Sequence, residues 1–256
     1  MRRRAVIRVL GLAALGPVVA RAAGGEPLRV LAAVTLKPAL DEVCREYERG
    51  GRGDVKVVYG PTPTLARQIE NGIEADVFFA ADDHWMDYLE SRGHIRRESR
   101  LDFLGNRLVL IAYRDSAIDV RIAPGFPLGA VLDRGPLAMC DPDSHPAGRL
   151  ARESLERLGV WPTVSGRVAK VRDVVAAVSL VADREAPLAV VFATDARLDG
   201  RVRVVDAFPD SSHSRISYPV AITSASVNPA GPDFLRLLRS PAAIAVFEAR
   251  GYLVRP

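Results

Sequence analysis

Leu28-Arg29-Val30-Leu31-Ala32-Ala33-Val34-Thr35-Leu36-Lys37-Pro38 changes its periodicity halfway. Its first seven residues are apolar but for Arg29, as in a strand buried on both faces. Thr35 follows as an N-cap, and Pro38 suits a first helical turn. Leu36, Leu40, Val43 and Tyr47 then continue at helical spacing until Arg49-Gly50. The same change from strand to helix recurs downstream. Val55 to Tyr59 is a second strand, Gly60-Pro61-Thr62-Pro63 turns the chain, and Thr64 to Glu70 starts a helix closed by Asn71-Gly72. Residues 75–80 form a buried strand, after which Asp82 or Asp83 caps a helix running through Leu89. Further strands are predicted over 108–113, 137–140, 188–192, 202–205 and 217–222. Helices are predicted over 147–158, 174–182 (capped by Asp173), 232–238 and 240–249. This alternation predicts an α/β architecture with mainly parallel sheets flanked by helices.

Upstream of the first strand the chain reads as an address. Arg2, Arg3, Arg4 and Arg8 precede an uncharged run from Val9 to Ala20. Ala20-Arg21-Ala22 then places small residues at the −3 and −1 positions of a cleavage site. Residues 1–22 are expected to be a secretory signal peptide cleaved near Ala22, since a membrane span needs ~20 apolar residues. No cysteine sits at the cleavage site to carry a lipid. The expected location is the periplasm.

Over all 256 residues, 48% are hydrophobic and 26% charged, which is ordinary globular composition and excludes a disordered chain. The formal charge of +4 is misleading, because five of the 35 basic residues lie in the first 22 positions. Without them 30 basic residues face 31 acidic ones, so the body of the protein lacks the basic footprint of a nucleic-acid binder. The four histidines, His84, His94, His145 and His213, show no metal-ligand spacing. Asp141-Pro142-Asp143-Ser144-His145 could pass for a metal loop, but its residue types are those of a turn before a helix. No nucleophile elbow, phosphate loop or dinucleotide fingerprint is present. Cys44 and Cys140 read as small buried hydrophobes, with a disulfide between them left open.

What the sequence does offer lies where strands end. Thr35, Thr62 and Thr64 sit at such junctions, Pro146-Ala147-Gly148 opens a helix, and Val174 follows the cap Asp173. Helix amino termini expose unpaired N–H groups with a partial positive charge. Several of them facing one crevice hold an anion without any Lys or Arg. Any single threonine serves equally well as a cap, so spacing alone leaves the two roles open.

The run from Leu31 to Leu36, with Thr64-Leu65-Ala66-Arg67-Gln68-Ile69-Glu70-Asn71-Gly72, resembles the molybdate-binding proteins of ABC importers. Further pieces resemble them in order along the chain. They are residues 75–82, Trp85-Met86-Asp87-Tyr88, Leu104-Gly105-Asn106-Arg107, Asp141-Pro142, Pro146-Ala147-Gly148, Glu185-Ala186-Pro187-Leu188, Thr194-Asp195-Ala196 and Tyr218-Pro219-Val220-Ala221. The resemblance implies a two-lobe type II periplasmic binding protein fold with the ligand cleft between the lobes. Lobe 1 would comprise 27–107 plus 219–256, and lobe 2 would comprise 108–218. It implies an oxyanion held by Thr35 and Thr62 from the first lobe and Ala147 and Val174 from the second. Thr35 and Thr62 replace serines usual in the family, and Phe192 stands where relatives often place a hydroxyl-bearing tyrosine. Pro61 and Pro63 flank Thr62 in place of serines, and Pro63 has no N–H to offer.

The implied function is capture of molybdate or tungstate for the membrane permease of an ABC importer, by a monomer with no cofactor, no resident metal, no nucleic-acid partner and no catalysis. Three alternatives stay open. They are the same fold tuned to another small oxyanion, the effector-sensing domain of a transcription regulator, and a non-transport exported enzyme on this fold.

Overall fold

A computed structural model describes residues 26–143 and 145–255. The expected signal peptide at 1–22 lies outside the described residues. The strands are β1 (Leu28–Ala33), β2 (Val55–Gly60), β3 (Val77–Phe79), β4 (Leu101–Gly105), β5 (Leu108–Tyr113), β6 (Leu137–Cys140), β7 (Val168–Val171), β8 (Leu188–Phe192), β9 (Val202–Ala207), β10 (Ser217–Ile222) and β11 (Leu253–Val254). The helices are α1 (Lys37–Arg49), α2 (Thr62–Glu70), α3 (Asp83–Ser91), α4 (Leu128–Val131), α5 (Pro146–Arg157), α6 (Trp161–Val164), α7 (Val174–Ala182), α8 (Ala230–Leu238) and α9 (Pro241–Ala249).

The strands form two sheets, one per lobe. Sheet 1 has the order β11-β4-β10-β3-β1-β2, and sheet 2 the order β7-β6-β8-β5-β9. Both are mixed rather than mainly parallel, and the connections explain why. Strands β1, β2 and β3 are joined through helices and pair in parallel, as do β6, β7 and β8. Strands that arrive from the other lobe have no crossover helix behind them. Thus β5, entering through the two-residue link Asn106-Arg107, runs antiparallel to β8 and β9. Strand β10, returning from sheet 2, runs antiparallel to β3 and β4. The antiparallel insert in each sheet therefore marks where the chain changes lobes.

Packing follows the sequence periodicity. The buried stripe of α1 is Ala39, Leu40, Val43, Cys44 and Tyr47, and the Tyr47 ring meets Phe234 of α8 edge-on at 5.6 Å. Phe79, Phe103 and Phe247 join sheet 1 to α9. In lobe 2, Leu110, Met139, Leu155 and Leu188 are fully buried. Cys44 and Cys140 are free and buried in different lobes, and burial lifts both thiols to about 12, which keeps them protonated and unreactive. No helix among the described residues is long and apolar enough to cross a membrane.

Candidate functional site

Strands β1 and β2 finish side by side, with Ala33 opposite Gly60. Their carboxyl ends, roughly 4.8 Å apart, deliver Thr35 and Thr62 to the same edge of sheet 1. The expected cap at Thr35 is not formed. Val34–Leu36 makes a 3₁₀ turn, Leu36 is the N-cap of α1, and no side chain caps that helix. The extra turn moves the helix start beyond Thr35 and leaves its exposed side chain unused by α1. Thr62 is not a cap either. Helix α2 begins at Thr62 instead of Thr64, with Pro61 as N-cap and Pro63 in the first turn, where a missing N–H is no loss. The buried Thr62 Oγ1 accepts a bond from the Ala81 N–H at 3.1 Å. That contact fixes the hydroxyl oxygen and leaves its hydrogen free to donate. Thr64 N–H turns back to the Pro61 carbonyl at 3.0 Å, so the first amide of α2 is that of Thr62.

Sheet 2 repeats this design. Cys140 lies opposite Val171, and Ala138 opposite Ala189, so β6, β7 and β8 end at one edge. Ala147 is buried in the first turn of α5, held close to β6 because Gly148 carries no side chain. Its N–H donates to the Nδ1 of His145, the N-cap of α5, at 3.1 Å. Val174 is the first residue of α7. The cap Asp173 takes the Ala176 N–H at 2.9 Å and leaves the Val174 N–H without an intrahelical partner. The Ala176 N–H and the neighbouring Arg172 guanidinium hold the Asp173 carboxyl below its ordinary range, against a smaller desolvation effect. Phe192 ends β8 half-buried, with its ring packed on the apolar core.

Burial pushes the carboxyl of Asp82, the N-cap of α3, upward. The Trp85 N–H and the charges of His84 and of Arg149, on α5 of the opposite lobe, act against that. Beneath the cleft a polar network joins the lobes. Buried Asn106, in the link between β4 and β5, donates to Thr194 Oγ1 at 3.0 Å and to Tyr218 Oη at 3.4 Å. The Tyr218 hydroxyl also interacts with the Thr35 side chain. Tyr252 donates to the Thr35 carbonyl at 2.7 Å and stacks edge-on against Tyr218 at 5.4 Å. Sequence reading assigned no role to Asn106, Tyr218 or Tyr252, because isolated polar residues at strand ends form no motif. Among the described residues no cluster of His, Cys, Asp and Glu could hold a metal ion.

Asp195 was also without a role in the sequence. Its carboxylate accepts the Phe192 N–H at 3.2 Å, and desolvation, only partly offset by that bond, pushes its pKa up to about 6. The fold thus favours the neutral acid. Between its ordinary value of 3.8 and about 6 the folded protein binds the extra proton, so this group's contribution to stability falls as pH rises through that window. Asp195→Asn keeps an acceptor for Phe192 and cannot ionise. Its Tm is expected to match wild type near pH 4 and to exceed it increasingly up to pH 7, as measured by thermal melts across that range.

The family model for bacterial extracellular solute-binding proteins matches residues 28–253. The molybdate-binding protein ModA of Escherichia coli (strain K12) is 36% identical over 229 residues, covering 89% of this chain and 89% of that protein. ModA of Haemophilus influenzae is 37% identical over 232 residues, covering 90% and 91%. Among solved structures, the substrate-binding domain of a molybdenum ABC transporter from Clostridium difficile superposes with a TM-score of 0.82 at 27% identity, over 90% of this chain and 99% of that one. With its two mixed sheets, its paired crossings and this similarity along nearly its whole described length, the chain belongs to the bacterial extracellular solute-binding proteins, as a relative of the molybdate-binding proteins ModA.

Proposed function

We propose that this chain is a periplasmic binding protein that captures molybdate or tungstate between its lobes and delivers it to the membrane permease of an ABC importer. It works as a monomer, by binding and release without catalysis. The observation that carries this reading is the donor set at the carboxyl ends of β1 and β2 in sheet 1 and of β6 and β7 in sheet 2. The hydroxyls of Thr35 and Thr62 and the amides of Thr62, Ala147 and Val174 are neutral donors fixed by backbone geometry. A buried dianion is stabilised by such dipoles without a counter-charge that would have to titrate. Sulfate has the same charge and shape but is smaller, and a ring of fixed donors cannot close equally well around it. Calorimetric titration of the exported chain is expected to give similar affinities for molybdate and tungstate and far weaker binding of sulfate and phosphate. Equal affinity for sulfate, or no heat with either metal oxyanion, would overturn the reading.

Phe192 offers a second test. It ends β8 on the same edge as Ala147 and Val174, with no hydroxyl to donate. Phe192→Tyr is expected to add one hydrogen bond to a charged ligand, about 1.5–3 kcal/mol, or roughly tenfold or more in affinity. Weaker molybdate binding by the variant would show that the new hydroxyl finds no partner there.

A further inference from the structure

The bond from Ala147 N–H to His145 Nδ1, at 3.1 Å, occupies a donor that the oxyanion reading assigns to the ligand. His145 has extended backbone and sits at the N-cap of α5, a position usually filled by the short side chains of Ser, Thr, Asp or Asn. Accepting through Nδ1 requires the neutral ring with its proton on Nε2, because an imidazolium has no acceptor. Burial favours that neutral form, opposed by the Asp173 carboxylate at the head of α7. The His145 backbone is itself held on both sides. Its N–H donates to the Asp141 carbonyl at 2.9 Å, and its own carbonyl accepts from Arg149 N–H at 3.0 Å. The ring is thus seated over a buried amide, while the equivalent opening amide of α7, at Val174, is left uncovered by its cap.

We propose that His145 is an affinity-setting residue of the cleft: its ring is an internal acceptor that competes with the bound oxyanion for the Ala147 N–H. The proposal rests on the oxyanion reading above. A charged oxygen is a stronger acceptor than a neutral imidazole nitrogen, so the ligand displaces the ring. Binding then gains only the difference between the two bonds. The ring caps the helix while the cleft is empty and releases the amide when it fills.

A cap and a competitor respond oppositely to removal of the ring. His145→Val has no acceptor. It is expected to melt below wild type without ligand, and to bind molybdate and tungstate roughly fivefold to tenfold tighter, the worth of one neutral hydrogen bond no longer displaced. His145→Asn keeps an acceptor at the cap and should stay within a few-fold of wild type. A second measurement needs no substitution. The ¹⁵N signal of His145 Nδ1 in the wild-type protein should shift on saturation with molybdate as it loses its N–H partner. If wild type binds molybdate while His145→Val binds equally or more weakly, or the Nδ1 signal is unmoved by bound ligand, His145 is a cap alone and the proposal falls. If neither wild type nor variant gives heat with either anion, the oxyanion reading itself falls.

Discussion

Gly148→Ala is expected to disable the second lobe's half of the cleft. A Cβ at Gly148 would overlap the Cys140 carbonyl oxygen and lie 2.7 Å from the carbonyl carbon and oxygen of Asp141. All three are backbone atoms. They sit at the end of β6, which is clamped between β7 and β8, so no flexible side chain can move aside. Helix α5 must back away. Forcing extra volume into such a contact costs about 3 kcal/mol, which for a chain of this size lowers Tm by about 6–12 °C. Ala147 precedes Gly148, so its amide moves with the helix, and loss of one bond to a charged ligand weakens oxyanion binding by roughly tenfold or more. Thermal melts and molybdate titration of Gly148→Ala check both effects. Wild-type values in each would mean that α5 shifts freely along β6 and that its position does not set the site.

The threonines of lobe 1 are expected to separate binding from stability. Thr35 caps no helix and its side chain meets only the Tyr218 hydroxyl, which Asn106 also bonds, so Thr35→Ala should cost the ligand-free protein no more than about 0.5–1.5 kcal/mol while binding falls by about 1.5–3 kcal/mol, at least tenfold. Thr62→Ala should lose as much affinity and also stability, because the Ala81 N–H loses its acceptor, at a cost of about 1–3 kcal/mol. Thr→Ser at either position keeps the hydroxyl and should stay within a few-fold of wild type in affinity. The checks are Tm without ligand and titration with molybdate. If both alanine variants bind as wild type does, the anion site lies elsewhere.

The parts of this molecule legible in its sequence are those built by local repetition. The units from β1 to α3 and from β6 to α7 show themselves as apolar runs that change into helical spacing at a polar residue. Asp82, Asp173 and Ser240 cap their helices. Strands β4, β7 and β11 were not foreseen. They are short, β7 and β11 lie at sheet edges, and neither edge strand is fully buried, so the apolar signal is weak. Mixed sheet direction was hidden because nothing local distinguishes a strand entering from the other lobe. Thr35 was misread as a cap because a 3₁₀ turn and an N-cap use the same residues. Pro142-Asp143 forms the expected turn before α5, but the group that caps that helix is the His145 imidazole, in a stretch where aspartate is the more usual capping residue. The gathering of the ends of β1 and β2 at one sheet edge, and of β6, β7 and β8 at another, depends on strand order in two sheets, which no spacing along the chain encodes.

The hydrogen bond from Tyr252 to the Thr35 carbonyl joins residues 217 positions apart. The five strands of sheet 2 all lie between Leu108 and Ala207, whereas sheet 1 takes β1 to β4 from the early part of the chain and β10 and β11 from the late part. In a polypeptide made amino end first, the contacts of sheet 2 are available while sheet 1 still lacks a central strand. Such long-range closures are slow, and they expose apolar edges until they are made. Thr35, among the first residues to emerge, thus waits for one of the last to be fixed in place, and a nascent chain stalled before residue 252 would carry a complete second sheet beside an unfinished mouth.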